Sequence, residues 1–348
     1  MPVRLKDIAD DLGISMITVS KVLRDKPDVS EQTRQRVLQR VKEVNYRPNM
    51  MARGLASGKS YTVGLIVPDL VHTFFAELAK GLSGALRRHS YQLVLASAEE
   101  DPNLERDEID NLLARGVDAL LIASCQTDPK GLSALVRGNV PYVLIDRMLP
   151  GLKAHFVGTN DLEAGYIATE HLIQLGRKRI AHIGGELIST SIDRLKGYRN
   201  ALEAHGIPYR EEYVAIRAKL EDAGDQAGRS AMDALRQLKK RPDAVFCYND
   251  LTAIGAIRSL LAHGLRVPQD VAVIGCGNLR LSSYLEVPLS SIDQSTQRLG
   301  EQAANMALGL IGGNAKRVEK RILVPPRVIA RASTRSHAAP QIIRRIND

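Results

Sequence analysis

The chain has 348 residues, 44% of them hydrophobic, which suits two or three globular domains and excludes a disordered chain. Its 48 Lys and Arg against 39 Asp and Glu give a formal net charge of +9, compatible with a polyanionic partner. The start MPVRLKDIADD lacks the apolar core of a secretory signal, and no apolar run approaches the ~18 residues that cross a bilayer, so a cytoplasmic location is expected.

The charge is uneven. Residues 1–60 hold 12 Lys and Arg against 7 Asp and Glu, whereas the remaining 288 hold 36 against 32. Within that first stretch, Ile8, Ala9, Leu12, Ile14, Val19 and Val22 are spaced as the buried faces of two short helices, with Gly13 at the turn between them. The pattern fits a helix-turn-helix, although an ordinary helical hairpin has the same spacing. Ser15, Met16, Ile17, Thr18, Ser20 and Lys21 are left exposed on the second helix. Ser30 then reads as an N-cap for a third helix whose apolar stripe is Val37, Leu38, Val41 and Val44. Pro48 stops that helix and Asn49 caps a very short one, Met50 to Ala56, marginal alone because nucleation is costly and Gly54 disfavours helix.

Taken together, the runs KDIADDLGIS, TVSKVL, VSEQTRQRV and NYRPNMMARGL resemble the DNA-binding headpiece and hinge of the lactose-repressor/galactose-repressor family of bacterial transcription regulators. The resemblance implies that Met16, Ile17 and Lys21 read base edges, with Ser15 beside them and Thr18 and Ser20 facing phosphates, unless Ser20 supports the fold instead. Lys21 can donate to guanine O6 and N7, while Met16 and Ile17 offer only apolar contact, for example to thymine methyl groups. In the hinge it makes Leu55 a wedge into the minor groove, Ala52 the small residue where two such helices meet, and Asn49 and Arg53 further DNA contacts.

Beyond residue 60 the pattern alternates strand and helix twice over. Strands are expected at Val63–Val67, Gln92–Ala96, Ala119–Ala123, Tyr142–Ile145, Arg179–Ile183, Ala244–Cys247 and Val271–Ile274. Helices are expected at Phe74–His89, Leu104–Arg115, Pro129–Arg137, Ile192–His205, Ala223–Leu238 and Thr252–His263. Such sheets bind ligands at the carboxyl ends of their strands. The resemblance extends to about Ser333 and implies a periplasmic-binding-protein-like core of two doubly wound parallel-sheet subdomains behind an all-α headpiece. The expected domains are 1–47 (helix-turn-helix), 48–60 (hinge), 61–332 (effector core) and 333–348 (tail). Within the core, an N-subdomain takes about 61–160 and 293–323, and a C-subdomain about 161–292 and 324–332.

The resemblance implies effector contacts at Phe74, Phe75, Ser191 and Arg194, and the loops after strands add Asp146, Arg147, Asn249 and Asn278 as expected contacts. Either Phe can instead cap the hydrophobic core, Asp146 and Arg147 can pair with each other, and Asp250 can serve as a helix N-cap. Where the family usually has an aspartate after the third strand of its second half, this chain has Gly277. Losing that carboxylate while keeping Arg147 and Arg194 tilts the expectation from a neutral sugar toward a sugar acid or sugar phosphate.

Cys125, Cys247 and Cys276 are isolated and lack metal-type spacing. Neither metal, disulfide nor cofactor is expected. No G-x-G-x-x-G or G-x-x-x-x-G-K-[ST] loop occurs, and His182 and Asp193 have no accompanying nucleophile, so catalysis is not expected. The terminal RASTRSHAAPQIIRRIND has no leucine heptad, and a homodimer on pseudo-palindromic duplex DNA is the expected assembly. The function read from the sequence is a DNA-binding regulator, a repressor, switched by a small-molecule effector.

Overall fold

The computed structural model describes residues 3–23, 25–46, 54, 58–185, 188–216, 224–313 and 319–335. The chain divides into two compact units, Met1–Ser60 and Tyr61–Asp348.

The first unit contains helices α1 (Leu5–Leu12), α2 (Met16–Leu23) and α3 (Glu31–Glu43). Gly13 ends α1 in the left-handed conformation, φ 65°, where a side chain carries strain and glycine none. The Arg4 N–H donates to the Asp7 carboxylate at 2.8 Å, tying the first turn of α1. Ser30 caps α3 by accepting from the Thr33 N–H. Ile8, Ala9, Val19, Val22 and Val37 form the buried centre, and burying each larger side chain contributes about 1.5–3 kcal/mol. That packing stabilises helices of eight residues that are marginal alone. The arginines of α3 fasten the bundle: Arg40 Nε donates to Asp11 at 3.0 Å and Arg34 to Asp25 at 2.5 Å. Leu38, expected on the apolar stripe, is 47% exposed.

The second unit has two six-stranded sheets. The first uses β1 (Thr62–Val67), β2 (Gln92–Ser97), β3 (Ala119–Ile122), β4 (Tyr142–Ile145), β5 (His155–Thr159) and β11 (Arg321–Val324), in the order β11-β5-β4-β3-β1-β2, all parallel. The second uses β6 (Ile180–Ile183), β7 (Val214–Ala215), β8 (Ala244–Cys247), β9 (Ala272–Cys276), β10 (Ser290–Asp293) and β12 (Arg327–Ile329), in the order β12-β10-β9-β8-β6-β7. Only β12 is antiparallel to its neighbour.

The helices that matter here are α4 (Thr73–Arg87), α5 (Pro102–Ala114), α6 (Ser133–Arg137), α7 (Asp161–Gln174), α8 (Ser189–Ala204), α9 (Gly224–Leu235), α10 (Asp250–Ala262) and α11 (Thr296–Ile311). The chain passes between the sheets three times: after β5, between β10 and α11, and between β11 and β12. α7 and α8 pack so closely that a Cβ on Gly165 would lie 2.1 Å from the Arg194 carbonyl oxygen. Backbone contact of that kind sets the position of every α8 side chain.

Five strands escape the hydrophobic pattern: β5, β7, β10, β11 and β12. β10 shows why. Ser290 and Ser291 are fully buried, yet each hydroxyl has a partner, Thr334 at 2.7 Å and Asp250 at 2.5 Å. A buried polar group is stable once it is hydrogen-bonded, so a core strand need not read as apolar. The segment Pro129–Arg137 is a 3₁₀ turn, Pro129–Leu132, followed by α6. The expected tail does not begin at 333, because Ser333 and Thr334 are 0% and 3% exposed and the Ser333 hydroxyl donates to the Val273 carbonyl. Cys247 and Cys276 are buried core residues and Cys125 is half-buried.

Candidate functional site

In the headpiece, Ser15 accepts from the Thr18 N–H at 3.1 Å, and the two hydroxyls lie 2.9 Å apart. Ser15 therefore caps α2 with the Thr18 hydroxyl beside it, a local role that the sequence reading did not give it. Met16 and Ile17 project outward, 51% and 69% exposed, which costs apolar hydration in the free protein and leaves two side chains ready for an apolar surface. Lys21 forms an ion pair with Asp28. Both groups are well exposed, so exchange for a base or phosphate costs at most about 1 kcal/mol. Ser20 is half-buried. The hinge positions Asn49, Ala52, Arg53 and Leu55 lie outside the described residues.

In the core, the loops at the carboxyl ends of β1, β4, β6, β8 and β9 converge on one polar cluster. β4 delivers Asp146 and Arg147. Asp146 has φ 61°, and the Arg147 N–H reaches back to the Ile145 carbonyl at 2.5 Å, a γ-turn of the strained kind. Asp146 is 8% exposed, and its carboxylate has no hydrogen-bond donor among the described residues. Burial raises its carboxyl above the ordinary range, against the pull of Arg194, Arg147 and His72.

Asp146 and Arg147 do not pair with each other. Arg147 instead grips Glu100 in a fork, at 2.9 and 2.7 Å. From α8, Arg194 is 4% exposed and donates to Asp161 at 2.7 Å and to the Tyr248 carbonyl at 2.7 Å, its guanidinium 4.8 Å from the centre of the Tyr248 ring. Burial raises the Asp161 carboxyl, opposed by that guanidinium.

Both guanidiniums are thus neutralised from within the chain. The cluster sets two guanidiniums among three carboxyl groups, Glu100, Asp146 and Asp161, the latter two raised by burial. Burial lowers the His72 pKa, and its Nδ1 is buried without a partner, as is Arg147 Nε. The expectation of an acidic ligand rests on Arg147 and Arg194, whose charges are already paired with Glu100 and Asp161.

Phe74 and Phe75 are each 5% exposed and meet edge to face at 5.1 Å inside the core cluster with Val67 and Leu78, so they cap the core rather than form an open wall. Ser191 accepts from the Gly185 N–H at 3.1 Å. Asn249 is the N-cap of α10, accepting from Thr252 at 2.8 Å. Asp250, which could have served as that cap, is instead fully buried, accepting from the Leu279 N–H and the Ser282 and Ser291 hydroxyls. Asn278 accepts from Arg331 at 2.6 Å. Gly277 has φ 131°, a backbone that an aspartate rarely adopts.

Across the cleft, the Met148 N–H donates to the Ser189 hydroxyl at 2.8 Å and the Gln294 amide to Thr159 at 3.2 Å. A cavity of about 420 Å³ beside them is lined by Met148, Leu149, Phe156, Ser189 and Ile192.

Comparison with known proteins agrees with both parts. Residues 4–49 match the model for bacterial regulatory proteins of the lacI family, and residues 169–334 match a periplasmic binding protein-like domain. Catabolite control protein A of Priestia megaterium is 32% identical over 338 residues, covering 96% of this chain and 100% of that protein. The chain belongs to the lacI family. The crystal structure of the lac repressor dimer bound to operator and the anti-inducer ONPF superposes with a TM-score of 0.82 at 26% identity, covering 96% of this chain and 99% of that one. The transcriptional regulator CelR in complex with cellobiose gives 0.69 at 30% identity over 95% and 99%. As a lacI-family member the protein is a DNA-binding transcription regulator, with operator DNA and a small-molecule effector as partners. Among the described residues no helix is long and apolar enough to cross a membrane.

Sequence reasoning missed His72, Glu100, Asp161 and Tyr248 as members of this family member's cluster. Asp161 had one available signal, its place just beyond the first passage between sheets. Glu100 had none, because it meets Arg147 across 47 residues of sequence.

Proposed function

We propose that the protein is a cytoplasmic, homodimeric, non-enzymatic repressor whose effector is a neutral polyhydroxylated molecule, a sugar, held between the two sheets. The observation that carries the effector class is Asp146, a buried carboxylate without a donor in a cluster whose arginines are already paired. A sugar hydroxyl supplies that donor, and a second hydroxyl accepts from Arg147 Nε. An added anion meets a cluster with no free positive charge, and a buried unpaired charge is costly. That CelR is described with cellobiose supports a sugar here.

In the headpiece, Met16, Ile17 and Lys21 read bases, and Leu55 with Asn49, Ala52 and Arg53 acts in the hinge. Binding in the cleft changes the relative orientation of the two lobes. It shifts the operator-binding equilibrium only by the effector's differential affinity for the two arrangements.

Isothermal titration against neutral sugars, sugar acids and sugar phosphates tests the effector class. Tight binding of a neutral sugar, which then alters a gel shift on a selected operator, is expected. Tight binding by sugar phosphates alone would overturn it.

A further inference from the structure

The amino-terminal ends of the second sheet's strands, opposite the cleft, carry a concave basic site that the proposed function does not use. The turns entering β6, β7 and β8 converge around a cavity of about 620 Å³ and contribute Lys178, Arg179, Arg210, Lys239, Lys240 and Arg241 to its lining. No carboxylate is part of that lining. Arg179 meets Asp243 at 3.2 Å and Arg210 meets Glu212 at 3.5 Å. Lys178, Lys239, Lys240 and Arg241 have no ion-pair partner among the described residues.

A simpler account is that these cations offset the carboxyl-terminal ends of α7, α8 and α9, which precede the same turns. Each helix end carries roughly half a negative charge. Three together leave more than two of the four unpaired positive charges unbalanced. The site is also built rather than loose. The Tyr213 hydroxyl donates to the Lys240 carbonyl at 2.6 Å and Arg179 Nε to the Arg241 carbonyl at 2.8 Å, which pins the turn bearing three of the cations. Ile180, Leu202 and Tyr213 are buried in its wall and offer an apolar face beside the charge.

From this combination we infer that the site binds an organic polyphosphate, a compact molecule with two or more adjacent phosphate groups on an apolar or aromatic body. The volume is that of a small-molecule pocket. Lysine and arginine side chains recognise phosphate as point charge and fork respectively. The charge is gathered in a bowl, which favours a compact polyanion over an extended nucleic-acid backbone.

The test is equilibrium dialysis of the full-length protein against radiolabelled ATP without magnesium at low salt, with inorganic triphosphate and adenosine as competitors. One ATP per chain is expected, displaced by triphosphate and not by adenosine. The combined variant Lys239→Glu, Lys240→Glu, Arg241→Glu weakens it at least tenfold. The charge-matched control Arg87→Glu, Arg88→Glu, Arg115→Glu, at exposed positions on the other lobe, leaves it within twofold. Equal weakening in both variants would reduce the effect to the general field of a basic protein and overturn the inference. So would an absence of ATP binding in the wild type, or a first variant that loses random-sequence duplex DNA but keeps ATP.

Discussion

The two walls of the effector cleft solve the burial of charge in opposite ways. On the wall built from α8 and α10, every charge named here is met inside the chain: Arg194 by Asp161 and a carbonyl, Asp250 by three donors. On the wall built from β1 and β4, His72 Nδ1 and Arg147 Nε are buried with no hydrogen-bond partner among the described residues, Asp146, 8% exposed, accepts no hydrogen bond from any of these residues, and its backbone is held in a strained turn. A satisfied network is rigid, whereas an unsatisfied one gains from a ligand. In the proposed function, the second wall is where a hydroxylated effector changes most, and the first is the frame against which it is held.

Breaking the satisfied wall should cost the most. Arg194→Ala leaves Asp161 buried without its cation, and a loss of about 3–5 kcal/mol in the urea unfolding of the core is expected. The same substitution across the cleft gives the contrast. Arg147→Ala frees Glu100, which is 43% exposed and regains water, but also removes a side chain only 11% exposed and a cation acting on buried Asp146, so roughly 1–3 kcal/mol should be lost.

Acid probes the β1 wall and the core of the second sheet at once. Burial lowers the His72 pKa and takes that of His182, stacked on Tyr198, to about 3. Below the unfolded-state value of about 6.5 the unfolded chain binds protons that the folded one refuses. Stability should fall as pH drops below that value, by at most ~1.4 kcal/mol per pH unit for each histidine. Thermal melts from pH 7 to 5 should show the decline, with a shallower slope in His182→Phe. An unchanged slope there would remove His182 from the explanation.

Asp146→Asn sharpens the comparison further. Removing an unpaired buried carboxylate should leave stability unchanged or raise it by up to about 1 kcal/mol, while calorimetric affinity for the sugar drops at least tenfold. The smallest stability effect belongs to the headpiece. Ile17→Ala, 69% exposed, should shift unfolding by no more than ~0.5 kcal/mol yet alter base preference in operator selection.

How much of this was legible in the chain depended on whether one segment carried its own explanation. TVGLIV, YVLI and AVFC announce buried strands because continuous branched apolar runs fit a sheet covered on both faces. SSID does not, since its serines are buried only by virtue of Asp250 and Thr334. Arg147 could be singled out by its place after a strand, and Arg194 by the family resemblance of its segment. Their partners Glu100 and Asp161, 47 and 33 residues away, could not, and without them the arginines read as free anion binders.

What the sequence determined by itself was the helix-turn-helix spacing around Gly13, the outward Met16 and Ile17, the alternating α/β core and the kinship carried by the headpiece motifs. These are local properties, set by residue type and period along a single stretch. Only the tertiary structure decided the charge balance of the cleft, the burial of Phe74 and Phe75, and the gathering of six cations at the far end of the second sheet. Each depends on side chains brought together from distant turns, and Coulomb energy and desolvation follow distance in space rather than separation along the chain.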